Sequence, residues 1–195
     1  SSETASSSNP TAEEHIVRIA MASEIDSIDP HQSSATDTGA ILANIHDGLI
    51  DTNTEGAVIP ALAESWEISD DNLTYTFHLV QDAVFHNGEP VTADDVVASY
   101  APLAGLTGAE PLSSKWEIVA DIQALDEFTV EITLSSIDSG FLARTMSAIM
   151  PAGYEDQETN PIGAGPFEFD EWLSGQHLTM VAFEDYYNEE SIPEI

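Results

Sequence analysis

One continuous unit, residues 60–100, constrains this chain more than any other: PALAESWEISDDNLTYTFHLVQDAVFHNGEPVTADDVVASY. Leu73, Tyr75, Phe77 and Leu79 alternate there with Thr74, Thr76, His78 and Val80. A period of two gives a strand one buried face, so Phe77 is expected in a core. An acidic turn at Asp70-Asp71-Asn72 leads into this strand, and Asn87-Gly88 follows it with the residues that best tolerate positive φ. Thr92 then opens a helix, because its hydroxyl can reach the free N–H groups of the first turn. Asp95, three residues on, answers both the cap and the positive end of the helix dipole. Val96, Val97 and Tyr100 give that helix its apolar side. The result is a hairpin-like unit running into a helix, around which the chain is expected to fold.

Flanking this unit, the pattern predicts a strand over 15–21, a loop over 23–37, a helix over 38–46 and a short strand over 49–52. A turn at 53–56 leads into residues 60–100. A Gly- and Pro-containing loop is expected over 102–111, then strands over 116–125 and 128–134 joined at Asp126-Glu127. Val130, Ile132 and Leu134 share one face of the second of these. A helix over 139–147 follows, then strands over 167–172 and 178–183 around a Ser174-Gly175 turn. Trp66 and Trp172 read as core residues beside strands. Strands outnumber helices and hairpins alternate with single helices, which predicts an α+β fold with mixed sheets and flanking helices.

Charge is the compositional anomaly. The 195 residues include 36 Asp and Glu but only three basic side chains, Arg18, Lys115 and Arg144, for a net charge of -33. Most carboxylates therefore have no cation to pair with, and the folded chain repels itself in dilute buffer. At molar salt the Debye length falls to about 3 Å and the repulsion is screened. Two readings follow: a surface adapted to high salt, or an acidic face that docks a basic partner. Nucleic acid binding is excluded, because phosphate contacts need Lys and Arg. Hydrophobic residues make up 42%, enough for a core, so the acids are not those of a disordered tail. There is no cysteine, hence no disulfide or thiolate chemistry. No run approaches the roughly 18 apolar residues of a membrane-spanning helix. Residues 1–14, rich in Ser, Thr and Glu, read either as a flexible tether or as a frayed terminus.

Chemical motifs are weak. Asp51-Thr52-Asn53-Thr54-Glu55-Gly56 imitates the start of an EF-hand, but Leu62 stands where the loop needs a bidentate Glu, so no metal site is expected. The six histidines lack metal-ligand spacing, and His78 and His86 read as structural. Acid pairs at Asp70-Asp71 and Asp94-Asp95 could serve a hydrolase, yet a turn and a helix start explain them. Gly163-Ala164-Gly165-Pro166 lacks the lysine of a phosphate loop. Its glycines allow close backbone approach, either within the fold or to a ligand. Trp116 is either a ligand platform or a core anchor.

Several segments together resemble the family 5 extracellular solute-binding proteins, the dipeptide-, oligopeptide- and nickel-binding receptors of ABC importers. They are Ser27-Ile28-Asp29-Pro30, Gly48-Leu49-Ile50, Gly56-Ala57-Val58-Ile59-Pro60, the 60–100 unit, 161–167 and Asp185-Tyr186-Tyr187-Asn188. Ala164 stands where the family has threonine. The resemblance implies a binding protein and not an enzyme, with residues 15–195 as the first lobe of a two-lobed periplasmic-binding-protein-like fold, truncated before the second lobe. It implies ligand contacts after Asp29-Pro30, around Trp116, at 146–150 and at 163–167. Within these, Ser33, Thr38, Trp116, Ser147, Gly165 and Phe167 are the expected ligand-binding residues. The implied partners are a small-molecule or peptide solute and the membrane permease of an ABC transporter, with no cofactor. The implied protein is a monomer at the extracellular face of the membrane, lipid-anchored through a residue preceding the tether.

Overall fold

The structure, a computed structural model, describes residues 17–20 and 23–188. The tether expected over 1–14 lies outside the described residues. Two helices and eight strands are arranged as α1 (Thr36–Leu42), β1 (Ile50–Thr52), β2 (Val58–Pro60), β3 (Ala63–Ile68), β4 (Thr74–Leu79), α2 (Ala93–Leu103), β5 (Val119–Asp126), β6 (Thr129–Leu134), β7 (Phe167–Leu173) and β8 (His177–Ala182). The centre is a four-stranded sheet of order β3-β4-β6-β5; β1-β2 and β7-β8 are separate two-stranded hairpins, and every described strand pair is antiparallel. Sheets flanked by few helices give the α+β class that the element pattern predicts.

The central core follows from alternation. Tyr75, Phe77 and Leu79 of β4 lie on the same side as Val130, Ile132 and Leu134 of β6, and Phe77 is fully buried. Helix α2 closes this face with Val96, Tyr100 and Leu103. At its start the Asp95 carboxylate accepts hydrogen bonds from the Thr92 N–H (2.8 Å) and hydroxyl (2.6 Å). Asp95 also accepts from the Ala152 N–H at 2.8 Å, so one buried acid both caps α2 and ties down a distant loop. The Asn87-Gly88 turn carries positive φ at Gly88.

The structure corrects several boundaries. Helix α2 continues through Pro102 to Leu103, two residues into the expected loop. Proline is tolerated there because one bond is lost in a last turn that the Ala104 N–H closes on the Tyr100 carbonyl (3.1 Å). Residues 114–116 form a 3-10 turn rather than the start of a strand. That turn places the buried Trp116 between Tyr100 and Phe141, with ring centroids 4.6 and 5.9 Å away. The helix expected over 139–147 is only a 3-10 turn, Leu142–Met146. Its backbone is needed elsewhere: Thr145 O accepts from Leu49 N–H and the Ile149 N–H donates to Asp47 O. Of the strand expected over 15–21, residues 17–20 have no regular structure and Val17 and Ile19 are exposed; residues 15, 16 and 21 lie outside the described residues. Strands β2 and β3 were not anticipated. β3 is an edge strand with a register shift between Ala63 and Ser65 and most side chains exposed, so it shows no period of two.

A second, smaller core joins α1 to the last hairpin. Ile28, Leu42 and Ile45 are buried against Phe169, Trp172, Leu178 and Met180. Trp172 thus packs as expected of a core residue beside a strand, and Trp66 packs against the central core.

Candidate functional site

Residues 44–49 run from the end of α1 to the start of β1, between the two cores. On one side Gly165 N–H donates to Ile45 O (2.9 Å) and Phe167 N–H to Asn44 O (3.0 Å). On the other, Leu49 N–H donates to Thr145 O (2.7 Å) and Ile149 N–H to Asp47 O (3.0 Å). The strap therefore holds two segments that lie about a hundred residues or more further along the chain.

Glycine makes this approach possible. A Cβ at Gly163 would lie 2.1 Å from Ile45 O, one at Gly165 2.7 Å from Asn44 O, and one at Gly48 2.6 Å from the Met146 backbone. None of these contacts can be relieved by turning a flexible side chain, since each involves main chain. The two glycines of the 163–165 motif thus serve close packing of one backbone on another.

Three histidines pin the same region. His86 donates from Nε2 to Gly165 O (3.0 Å) and accepts at Nδ1 from Gly163 N–H (3.4 Å), an arrangement that requires the neutral ring. Its pKa is lowered by burial, against the pull of the Gly165 carbonyl and the Glu168 charge. His31 donates from Nε2 to Ala148 O (3.0 Å), and burial again lowers its pKa. His46 is buried with its ring nitrogens facing Leu42 O and Gln157 Oε1, and burial takes its pKa down to about 4. Gln157 in turn grips both the N–H and the carbonyl of Ile162. His86 is thus structural, as its place in the strand-turn unit suggests.

Asp47 is the strap's acid. Tyr186 and Tyr187 donate their hydroxyls to its Oδ2 at 3.0 and 2.8 Å. Burial raises its pKa to about 6, opposed by those two donors. Sequence reasoning missed this contact. Asp185-Tyr186-Tyr187-Asn188 was visible as a motif, but nothing in the pattern tied it to Asp47.

The six expected ligand residues divide. Ser33, Ser147, Gly165 and Phe167 lie on segments that meet around the strap, since His31 links 29–33 to Ala148 and residues 163–167 bond to 44–45. Ser33 donates its hydroxyl to Asp26 (2.8 Å), whose carboxylate also accepts from the N–H groups of Ser34 and Ala35 at the start of α1. These bonds hold Asp26 well below the usual carboxylate range. Thr38 is fully buried, its Oγ1 accepting from Asp26 N–H at 3.4 Å. Trp116 stands apart in the central core; its neighbour Tyr100 donates to Thr145 O (2.9 Å) and Ser147 O (2.8 Å), so the indole supports the site only from behind. Two open concavities, of about 760 and 140 Å³, are lined in part by residues that hold the strap: one, between 82–88 and 184–188, by Tyr186 and Tyr187, the other, between His86-Asn87, 160–162 and Glu168-Phe169, by His86. Among the described residues no cluster of His, Asp or Glu could hold a metal ion, and the turn at 51–56 is closed by Asn53, whose Oδ1 accepts from Glu55 and Ala57 N–H.

Residues 57–195 match the profile of the bacterial extracellular solute-binding proteins, family 5. Heme-binding protein A of Haemophilus influenzae is 35% identical over 66% of this chain and 29% of its own length. The binding protein AgaA of A. tumefaciens R10, solved with agropinic acid, superposes with a TM-score of 0.77 at 34% identity, over 84% of this chain and 35% of that one. DppA of Helicobacter pylori, solved with the peptide STSA, gives 0.76 at 27% identity, over 84% of this chain and 38% of that one. The chain thus spans about a third of the length of these relatives.

Proposed function

This chain belongs to the family 5 bacterial extracellular solute-binding proteins, which are transport receptors and not enzymes, and on that premise we propose that it forms one lobe of a receptor that captures a small solute for an ABC importer. The observation that carries this reading is the convergence of 145–150 and 163–167 on the strap at 44–49, with 29–33 tied to Ala148 through His31. Ser33, Ser147 and Phe167 would present hydroxyl and aromatic groups to one side of a solute, while Gly165, its N–H held by Ile45 O and its carbonyl by His86, would act by letting the 163–167 segment lie close against the strap. Thr38 and Trp116 would act from behind, as buried supports. The relatives' ligands include heme, agropinic acid and a peptide, and a peptide or a molecule of similar polarity suits a wall that offers hydroxyls beside an aromatic ring. The remaining contacts come from a second lobe that closes over the solute by hinge motion. The membrane permease of the importer is the protein partner, and the receptor works as a monomer at the extracellular face, tethered by a lipid anchor ahead of residues 1–14.

A single lobe leaves much of a solute wet, whereas a drug-sized ligand in a complete pocket loses about 70–90% of its exposed surface. Calorimetry at molar KCl with short peptides and metal chelates tests the reading. The 195-residue chain should bind more weakly than micromolar and return every peptide intact. Micromolar binding would mean a complete site in this chain, and peptide cleavage would mean an enzyme.

The acidic surface belongs to a protein working in high salt. With a net charge of -33 and, among the described residues, one Arg–carboxylate ion pair, Arg144–Asp138, the carboxylates need screening rather than partners. Melting temperature should climb from low to molar KCl. A flat or falling curve would favour the rival reading, an acidic face built for a basic partner.

A further inference from the structure

The turn between β3 and β4 carries a feature that solute binding does not use. Asn72-Leu73-Thr74 is an Asn-x-Thr sequence, the acceptor pattern for N-linked glycosylation. The only other Asn with Thr two residues on, Asn9, is followed by Pro10, which blocks the reaction. Asn72 is exposed at the tip of a hairpin, in the left-handed conformation with φ 57°. Its backbone N–H closes the turn on Ser69 O at 2.8 Å. The neighbouring polar side chains are engaged: Ser69 donates to Asp71, and Asp71 accepts from Leu73 N–H. The Asn72 side-chain amide makes no hydrogen bond to any described residue, so its nitrogen is presented to solvent. Positive φ alone accounts for an asparagine here, but glycine would serve that need as well, and neither the free amide nor the threonine two residues on is required by the turn.

Position favours a substituent. The opposite end of the β3–β4 hairpin abuts the strap, where Ala63 N–H donates to Leu49 O and Leu62 N–H to Gly48 O. Strand β4 has six residues, which puts the turn about 20 Å from that end. A bulky group on Asn72 would project from the far edge and leave the solute wall clear.

We infer that Asn72 is an N-glycosylation site. The reaction needs a sugar carried on a polyprenyl phosphate or diphosphate and a transferase on the outer face of the membrane. The Asn72 Nδ2 forms a bond to the sugar C1 as the C1–O bond to the lipid phosphate breaks; the lipid phosphate leaves, and Nδ2 gives up one proton. In the folded protein Thr74 is already paired with Thr133 of β6, so transfer takes place before that ladder closes. The folded turn then accommodates the product, because the modified side chain already faces water. The inference rests on the extracellular placement proposed above.

Intact-mass and peptide mass spectrometry on protein purified from the organism that makes it, after cell fractionation, provides the test. The peptide containing Asn72 should be heavier than its sequence mass by whole sugar residues. That increment should vanish in Asn72→Gly, which keeps the positive-φ turn, and in Thr74→Ala, and should persist in Thr74→Ser. An extracellular protein with an unmodified Asn72 would overturn the inference and leave the receptor reading intact. A protein retained in the cytosol with Asn72 unmodified would overturn both.

Discussion

The four-stranded sheet and the strap at 44–49 are built on different physical logic. In the sheet, each apolar residue finds its place through local periodicity: Phe77 and Val130 pair across neighbouring strands because each sits on the buried side of its own alternation. In the strap, the contacts are backbone to backbone and span long stretches of sequence, such as Ile45 with Gly165 and Leu49 with Thr145. Side-chain pattern thus dictates the scaffold, while glycine placement and a few buried polar groups dictate the strap and the segments it gathers. A chain can keep the first and lose the second.

The comparison is broken most severely from the sheet side. Phe77→Ala should cost about 3–5 kcal/mol, the usual price of truncating a buried aromatic, and should unfold both regions together. Chemical denaturation at molar salt measures it; a loss below about 1 kcal/mol would mean that β4 does not sit in this register.

Gly163→Ala sharpens the contrast. The added Cβ would collide with Ile45 O at 2.1 Å, so the main chain must move. A cost of about 3 kcal/mol is expected, at the upper end for overpacking. The damage should be local: hydrogen exchange should quicken at the Gly165 and Phe167 amides while β4 and β6 remain protected. Uniform loss of protection would show that strap and sheet are one cooperative unit.

These two substitutions also mark what could be read from sequence. The face bearing Phe77, the Thr92–Asp95 helix start and the Asn87-Gly88 turn were all legible, because each is encoded within a few residues. Edge strand β3 was not, since Glu64, Ser65 and Glu67 face water and leave no period of two. Gly163 and Gly165 announced a close approach without saying to what. Asp47 gave no signal at all, because its partners Tyr186 and Tyr187 lie 139 and 140 residues away. The segments bearing the expected ligand residues were found through resemblance to a family; their convergence on 44–49 is a tertiary fact. Trp116 shows the limit of such carry-over, since its indole is buried between Tyr100 and Phe141.

A smaller effect comes from pH and acts on the strap. His46 has a folded pKa of about 4, below its unfolded value of 6.5, so its contribution is present above pH 6.5 and is lost as pH falls towards 4. Asp47 is shifted the other way, to about 6 from 3.8, so protonation favours the folded state as pH falls through that window. The two adjacent residues therefore offset each other. Asp47→Asn removes the gain at acid pH, and its stability should fall more steeply than wild type between pH 6.5 and 4, by on the order of 2 kcal/mol over the window. Parallel curves for the two proteins would show that Asp47 titrates as an ordinary surface acid.

The central claim is that the strap and the segments it gathers form one wall of a solute site. Amide chemical shifts of the 195-residue chain, followed by NMR at molar KCl during titration with millimolar short peptides, test it most directly. Shifts should concentrate at Ser33, Ser147, Gly165 and Phe167 and leave the amides of β5 and β6 unmoved. Perturbation confined to other surfaces, or a peptide that binds tightly between 82–88 and 184–188, would contradict the account.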